Sequence, residues 1–96
     1  MFFKTTRTIS NISEHIIQIG NKMAYINNPS NYNNKILITQ EIVQVKVLLK
    51  EIQSLFAQNN KIEIATHLYY YRGYGINLTD FLALIKCQLE NVESNI

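Results

Sequence analysis

The chain reads as all-α, a small three- or four-helix bundle with a long central helix. Three observations carry that expectation. Ile38, Ile42, Val45, Leu49, Ile52 and Phe56 recur at 4-3-4-3-4 spacing, the seam of a helix packed lengthwise on its neighbours. Neither Gly nor Pro interrupts residues 36–58. Turn-forming residues gather at Asn27–Asn34, at Asn59–Asn60 and at Gly73-Tyr74-Gly75, which divides the chain into four amphipathic segments.

The first segment is expected to be helical over 11–26, after an N-terminal tail of residues 1–10. Ile12, Ile16, Ile19 and Met23 recur at helical spacing, and Ser10 or Asn11 can cap the start. Gly20 weakens it, because Gly in a helix interior costs about 1 kcal/mol relative to Ala. Phe2 and Phe3 either pack on the bundle or belong to a short strand. A loop over 27–34 follows, where Pro29 stands among five Asn residues and both residue types favour turns.

The second segment, 36–58, is the strongest, with Thr39 as a cap. Its rival reading is a strand, because Val43, Val45 and Val47 alternate with Gln44 and Lys46 and β-branched residues favour strands. The alternation breaks at Leu48-Leu49 while the helical seam continues to Phe56, so helix is preferred. The third segment, 61–72, places Ile62, Ala65, Leu68 and Tyr69 on one stripe. Gly73 then stands where a left-handed C-cap belongs, and Arg72 in the last turn faces the helix dipole. The fourth, 79–93, opens on Thr79 as N-cap with Asp80 behind it and runs Phe81, Leu84, Ile85, Leu89, Val92. None of these segments persists alone in water at such lengths, so each must bury its stripe on a neighbour or on another chain.

The chain has 96 residues, enough for a single helical domain over 1–96, with 47% apolar and 17% charged residues. A formal charge of +2 does not imply a nucleic-acid partner by itself. The charge is uneven: residues 1–35 hold Lys4, Arg7, Lys22 and Lys35 against Glu14 alone. One cysteine, Cys87, rules out an intrachain disulfide. The longest apolar run, Phe81 to Ile85, is far too short to span a bilayer. No charged-then-apolar leader opens the chain, so a cytoplasmic location is expected. The acid-free, hydroxyl-bearing stretch Met1–Ser13 leaves organelle import open. Ile (15) and Asn (12), together with Lys, Tyr, Phe and Met, supply 46 of the residues. These are amino acids of AT-rich codons, so clustered Asn and Ile are discounted as functional signals.

Enzyme signatures are thin, and no enzyme activity, metal or cofactor is expected. No Gly-rich phosphate-cradling motif is present, and Gly73-Tyr74-Gly75 is better read as a turn. Glu63 and His67 stand i, i+4 and could join His15 or Cys87 around a metal. The paired spacing of structural zinc sites is missing. Cys87, off the centre of its apolar stripe, reads as a half-buried small side chain rather than a nucleophile. Asn11-Ile12-Ser13 and Asn77-Leu78-Thr79 match the glycosylation triplet by the abundance of Asn.

One cluster stands out, Tyr69-Tyr70-Tyr71-Arg72-Gly73-Tyr74. Successive residues on a helix point about 100° apart, so three tyrosines cannot all face one core. At least one of Tyr70 and Tyr71 should then lie exposed or at an edge, and Tyr and Arg are enriched where partners dock. Val43, Val47, Leu48 and Leu55 widen the apolar arc of the long helix beyond its seam. The expected function is a non-enzymatic small helical adaptor or assembly subunit that docks onto a protein partner or onto a second copy of itself. The docking residues are Tyr69, Tyr70, Tyr71, Arg72, Tyr74, Val43, Val47, Leu48 and Leu55. The alternative is a nucleic-acid-binding helical module using Tyr70, Tyr71, Arg72, Lys61 and the basic N-terminal region.

Overall fold

The computed structural model describes residues 2–57 and 61–96. It is mostly helical, with a small antiparallel hairpin inserted before the last helix. Helix α1 spans Phe2–Ile26, and a 3-10 turn spans Pro29–Asn31. Helix α2 spans Lys35–Ala57 and helix α3 spans Lys61–Thr66. Strands β1 (Tyr69–Tyr71) and β2 (Tyr74–Ile76) form the hairpin, and α4 spans Leu78–Asn95. The molecule is elongated, 47 × 22 × 17 Å.

In α1 the expected tail is helical instead. Thr5 and Thr8 are buried on the stripe that continues through Ile12, Ile16, Ile19, Met23 and Ile26. Their hydroxyls hide that continuity from an apolar-only reading. Neither Ser10 nor Asn11 caps anything, and Phe2 and Phe3 are in helix rather than strand. After Ile26 the chain turns at once. Asn28 Oδ1 accepts from the Ser30 amide (3.1 Å) and hydroxyl (2.8 Å), and Asn31 Nδ2 donates to the Tyr25 carbonyl. Pro29 opens the 3-10 turn, where its missing N–H is not needed.

The long central helix is present as a helix, and no strand forms over 36–47. Its hydrogen-bond ladder opens with the Ile38 amide on the Asn34 carbonyl, so Thr39 lies inside rather than at the cap. Ile38, Ile42, Val45 and Ile52 are buried, and Leu49 and Phe56 are half-buried against the same core. The Asn59–Asn60 break lies outside the described residues.

The third segment departs from expectation. Helix stops at Thr66, and Tyr69-Tyr70-Tyr71 is a strand. Side chains in a strand alternate with period two, so Tyr69 and Tyr71 enter the core together while Tyr70 points out. No helix could bury the first and third of three consecutive rings on one side. Arg72 (φ 53°) and Gly73 (φ 87°) form the two-residue connection. Positive φ at both central residues matches the twist of a hairpin. Gly73 is therefore left-handed, as expected of a C-cap, but it serves a turn. Register pairs Tyr69 with Ile76, Tyr70 with Gly75 and Tyr71 with Tyr74.

The cap of α4 is Asn77, not Thr79. Asn77 Oδ1 accepts from the Asp80 amide at 2.9 Å, and its Nδ2 donates to the Asp80 carboxylate at 3.0 Å. Leu78, Phe81, Ile85, Leu89 and Val92 face inward.

Side-chain links set the arrangement. Lys22 reaches Glu41 (3.1 Å) and Gln44 on α2, and His15 reaches Glu51, so α1 and α2 run antiparallel. Lys46 of α2 reaches Glu93 at the far end of α4. The hairpin packs on α1 from the other side, with Tyr71 and Arg72 over Gly20. Lys22 and Gly20 point roughly 160° apart on α1, so α1 lies between α2 and the hairpin.

Candidate docking surface

The expected docking residues separate into three groups once folded. Tyr69 and Tyr71 belong to the core. Tyr69 is buried with its ring edge-on to His67, centroids 4.8 Å apart. Its hydroxyl donates to the Ile64 carbonyl at 2.9 Å. Desolvation pushes its pKa up to about 12. Tyr71 packs edge-on against Phe81 (5.5 Å) and donates to Gln88 Oε1 at 3.2 Å. Burial raises its pKa, partly countered by the charge and hydrogen bond of Arg72. Both rings hold the hairpin to the bundle, so neither is presented to a partner.

Leu48 and Leu55 form the second group, half-buried beside the core on the flank of α2 that meets α1. His15 sits on the same flank. Its Nδ1 is 2.7 Å from the Asn11 carbonyl and its Nε2 is 2.6 Å from Glu51 Oε2.

The third group is exposed, and it lies on two surfaces. On the hairpin, Tyr70 (64% exposed) and Tyr74 (79%) flank Arg72, whose stem rests on Gly20. Gly75 lets Leu68 lie flat across the strand, since a Cβ there would come within 2.8 Å of Leu68 Cδ2. On α2, Val43 is 55% and Val47 49% exposed. They lie on the face opposite the Ile38–Ile52 seam, where with Leu48 and with Gln18 and Lys22 of α1 they line a shallow groove. Ile36, 74% exposed, continues their line toward the N-terminus of α2. Residues 36, 40, 43 and 47 thus repeat at 4-3-4 spacing, a second and shorter seam on the outer side of the same helix. The sequence reading names the two valines but misses Ile36. The spacing that would find it is the one that defines the inner seam, displaced by two residues.

Two lysines beside the outer seam are paired, while exposed Lys50 continues its line. Lys22 is paired with Glu41 on one flank, and Lys46 with Glu93 on the other. Lys50 is the charge closest to the seam's own line. Elsewhere, a groove between α2 and α4 has Leu49, Leu82 and Leu89 among its lining residues.

Among the described residues, no cluster of three or more His, Cys, Asp or Glu could hold a metal ion. His67 meets Tyr69 edge-on, and Cys87 is exposed on α4. No described helix is long and apolar enough to cross a membrane. Comparison with protein-family models, curated proteins and solved structures finds no match.

Proposed function

We propose that this chain is a small helical assembly subunit, without enzymatic activity, that docks protein through the outer face of α2. One observation carries the reading. Helix α2 has an apolar stripe on the face opposite the one that builds the core. Single exposed apolar residues are ordinary on any protein. Three in seam register over about 16 Å form a surface that a partner helix or sheet can cover. Covering it gains about 25 cal/mol per Å² of apolar area before association costs.

The hairpin leaves Tyr70, Arg72 and Tyr74 to a nucleic-acid reading, with Tyr71 turned into the core. A single guanidinium beside two rings supplies little of the phosphate neutralisation that such binding rests on, so protein docking is preferred.

The test is site-specific photo-crosslinking in cells, with a photoreactive side chain at residue 43 or 47 and, as control, at the exposed position 21 on α1. Discrete adducts from 43 and 47, absent from 21, are expected. Equal yields at all three positions would refute the assignment.

A further inference from the structure

We propose that the cleft between the hairpin and α4 binds a small monocarboxylate with an apolar body, gripped at its charged end by Arg72. The site is separate from the outer face of α2, and neither reading depends on the other.

The walls follow from the register of the hairpin. Directly opposed residues of an antiparallel pair share a face, so Tyr74 stands beside Tyr71, and Ile76 beside Tyr69, on the inner side. Tyr69 and Tyr71 are buried there, whereas Tyr74 overhangs the bundle. Between that overhang and half-buried Leu84 of α4 lies a cleft of about 400 Å³, with Tyr71, Arg72 and Ile76 also on its walls. This is toward the small end of ligand pockets, which run about 300–1,000 Å³. Two phenol rings and two branched aliphatic side chains suit an apolar body the size of one aromatic ring or a short branched chain.

Charge selects the other end of the ligand. Among the described residues, no carboxylate lies within ion-pair distance of Arg72. Asp80, the acid nearest to it in sequence, is bonded to Asn77. The guanidinium is also anchored. A Cβ built on Gly20 would stand 3.6 Å from Arg72 Cγ, so the stem rests on α1. The head lies by the Tyr71 phenol, on which its charge and a hydrogen bond act. The Tyr71 hydroxyl in turn donates to Gln88. One such contact leaves most of the planar fork free, and that fork matches a carboxylate bidentately. A single cation neutralises one carboxylate and leaves a polyanion largely unmatched.

The position of Arg72 supplies an independent reason. Its φ is 53°, a conformation that is costly for a side chain of this kind, and turns of this type favour Asn, Asp or Gly. The chain has 12 Asn but only two Arg, Arg7 and Arg72. Composition and turn chemistry both favour Asn at this position, and the guanidinium stands there against both. What it adds is a positive charge at the lip of an apolar cleft.

Amide chemical shifts of the isotope-labelled full chain test the site, with phenylacetate as the probe. Saturable shifts are expected at Tyr71–Ile76 and around Leu84, with a dissociation constant on the order of a few millimolar for so small a ligand. Phenylacetamide keeps the body without the charge, and acetate keeps the charge without the body. Each should bind at least about tenfold more weakly. R72N should weaken phenylacetate by about tenfold or more while its urea midpoint stays or rises, which separates binding from folding. Phenylacetamide binding as tightly as phenylacetate overturns the proposal, as does R72N binding as tightly as the wild type. Shifts spread equally over Lys35, Lys50 and Lys86 overturn it too, since they report general attraction of anions to the surface. So does the lack of any saturable shift up to about 50 mM probe, roughly tenfold above the expected constant.

Discussion

Gly20 sits in the interior of α1 under the hairpin, and replacing it with Ala should stabilise the protein. A Cβ built there lies 3.6 Å from Tyr71 Cδ1, Tyr71 Cε1 and Arg72 Cγ, which is ordinary van der Waals contact. Helix propensity favours Ala over Gly by about 0.8–1.0 kcal/mol. Each new carbon contact adds about 0.1–0.2 kcal/mol. Some of this is offset by the loss of whatever slack the hairpin now has. The net expectation is about 1 kcal/mol of added stability, which raises Tm by about 4–8 °C in a domain of this size. Urea unfolding followed by circular dichroism, below 5 μM to stay clear of any self-association, measures it. G20V is the paired variant. Its two further carbons extend beyond a position already in contact, so overpacking should cost about 1–3 kcal/mol. If G20A lowers the urea midpoint at unchanged slope, the hairpin sits closer to α1 than 3.6 Å allows, and the packing of Tyr71 described above is wrong.

Two further expectations concern the hairpin. The Tyr69 phenol ionises near 10 when unfolded and only at about 12 when folded. Between those values the unfolded state releases a proton that the folded state keeps. Stability is therefore fully present below pH 10 and falls as pH rises to 12, by about 1.4 kcal/mol per unit from this group. Y69F should flatten that slope and cost about 1 kcal/mol at neutral pH, since the Ile64 carbonyl loses its donor; equal alkaline slopes in both proteins would refute the burial of Tyr69. At the turn, G73A forces an L-residue to φ 87° and should cost about 1–2 kcal/mol. R72N should instead be neutral or stabilising by a few tenths of a kcal/mol, because Asn tolerates positive φ better than Arg. Both are read from the same denaturation curves, and a stabilising G73A would exclude the two-residue turn.

The helices were legible where apolar side chains alone carry the pattern. The inner seam of α2 is complete in Ile, Val, Leu and Phe, so its helix emerges from spacing despite three β-branched valines that argue for a strand. The start of α1 was not legible because Thr5 and Thr8 occupy core positions with polar atoms. The hairpin was misread for a different reason. Tyr69 fits a helical stripe as well as a strand, and Gly73 fits a C-cap as well as a turn. The deciding feature is the pair of alternating tyrosines around Arg72-Gly73, a period-two signal only a few residues long. The observation that three successive tyrosines cannot share one helical face put one ring outside but did not separate helix from strand. Two of the three are buried, which a strand permits and a helix does not.

The composition bears on which exposed residues carry meaning. Ile17 on α1 and Ile62 on α3 are exposed away from the outer seam of α2, and Ile is the residue this chain uses most, in keeping with AT-rich codons. An isolated exposed Ile therefore needs no function. Valine is not in that class, and the chain has only four: Val43, Val45, Val47 and Val92. Val45 and Val92 are buried, while Val43 and Val47 stand together on the outer face of α2. Folding stability does not account for these two, because side chains that remain about half in water gain little of the transfer energy of burial. β-Branched residues also weaken a helix relative to Ala, Leu or Gln. At these two positions the helix is slightly less stable and the surface more adhesive than it needs to be. Covering the pair with another helix removes the exposed apolar area and offsets the propensity cost with packing, and that is the physical ground for placing the docking face there rather than on the scattered isoleucines.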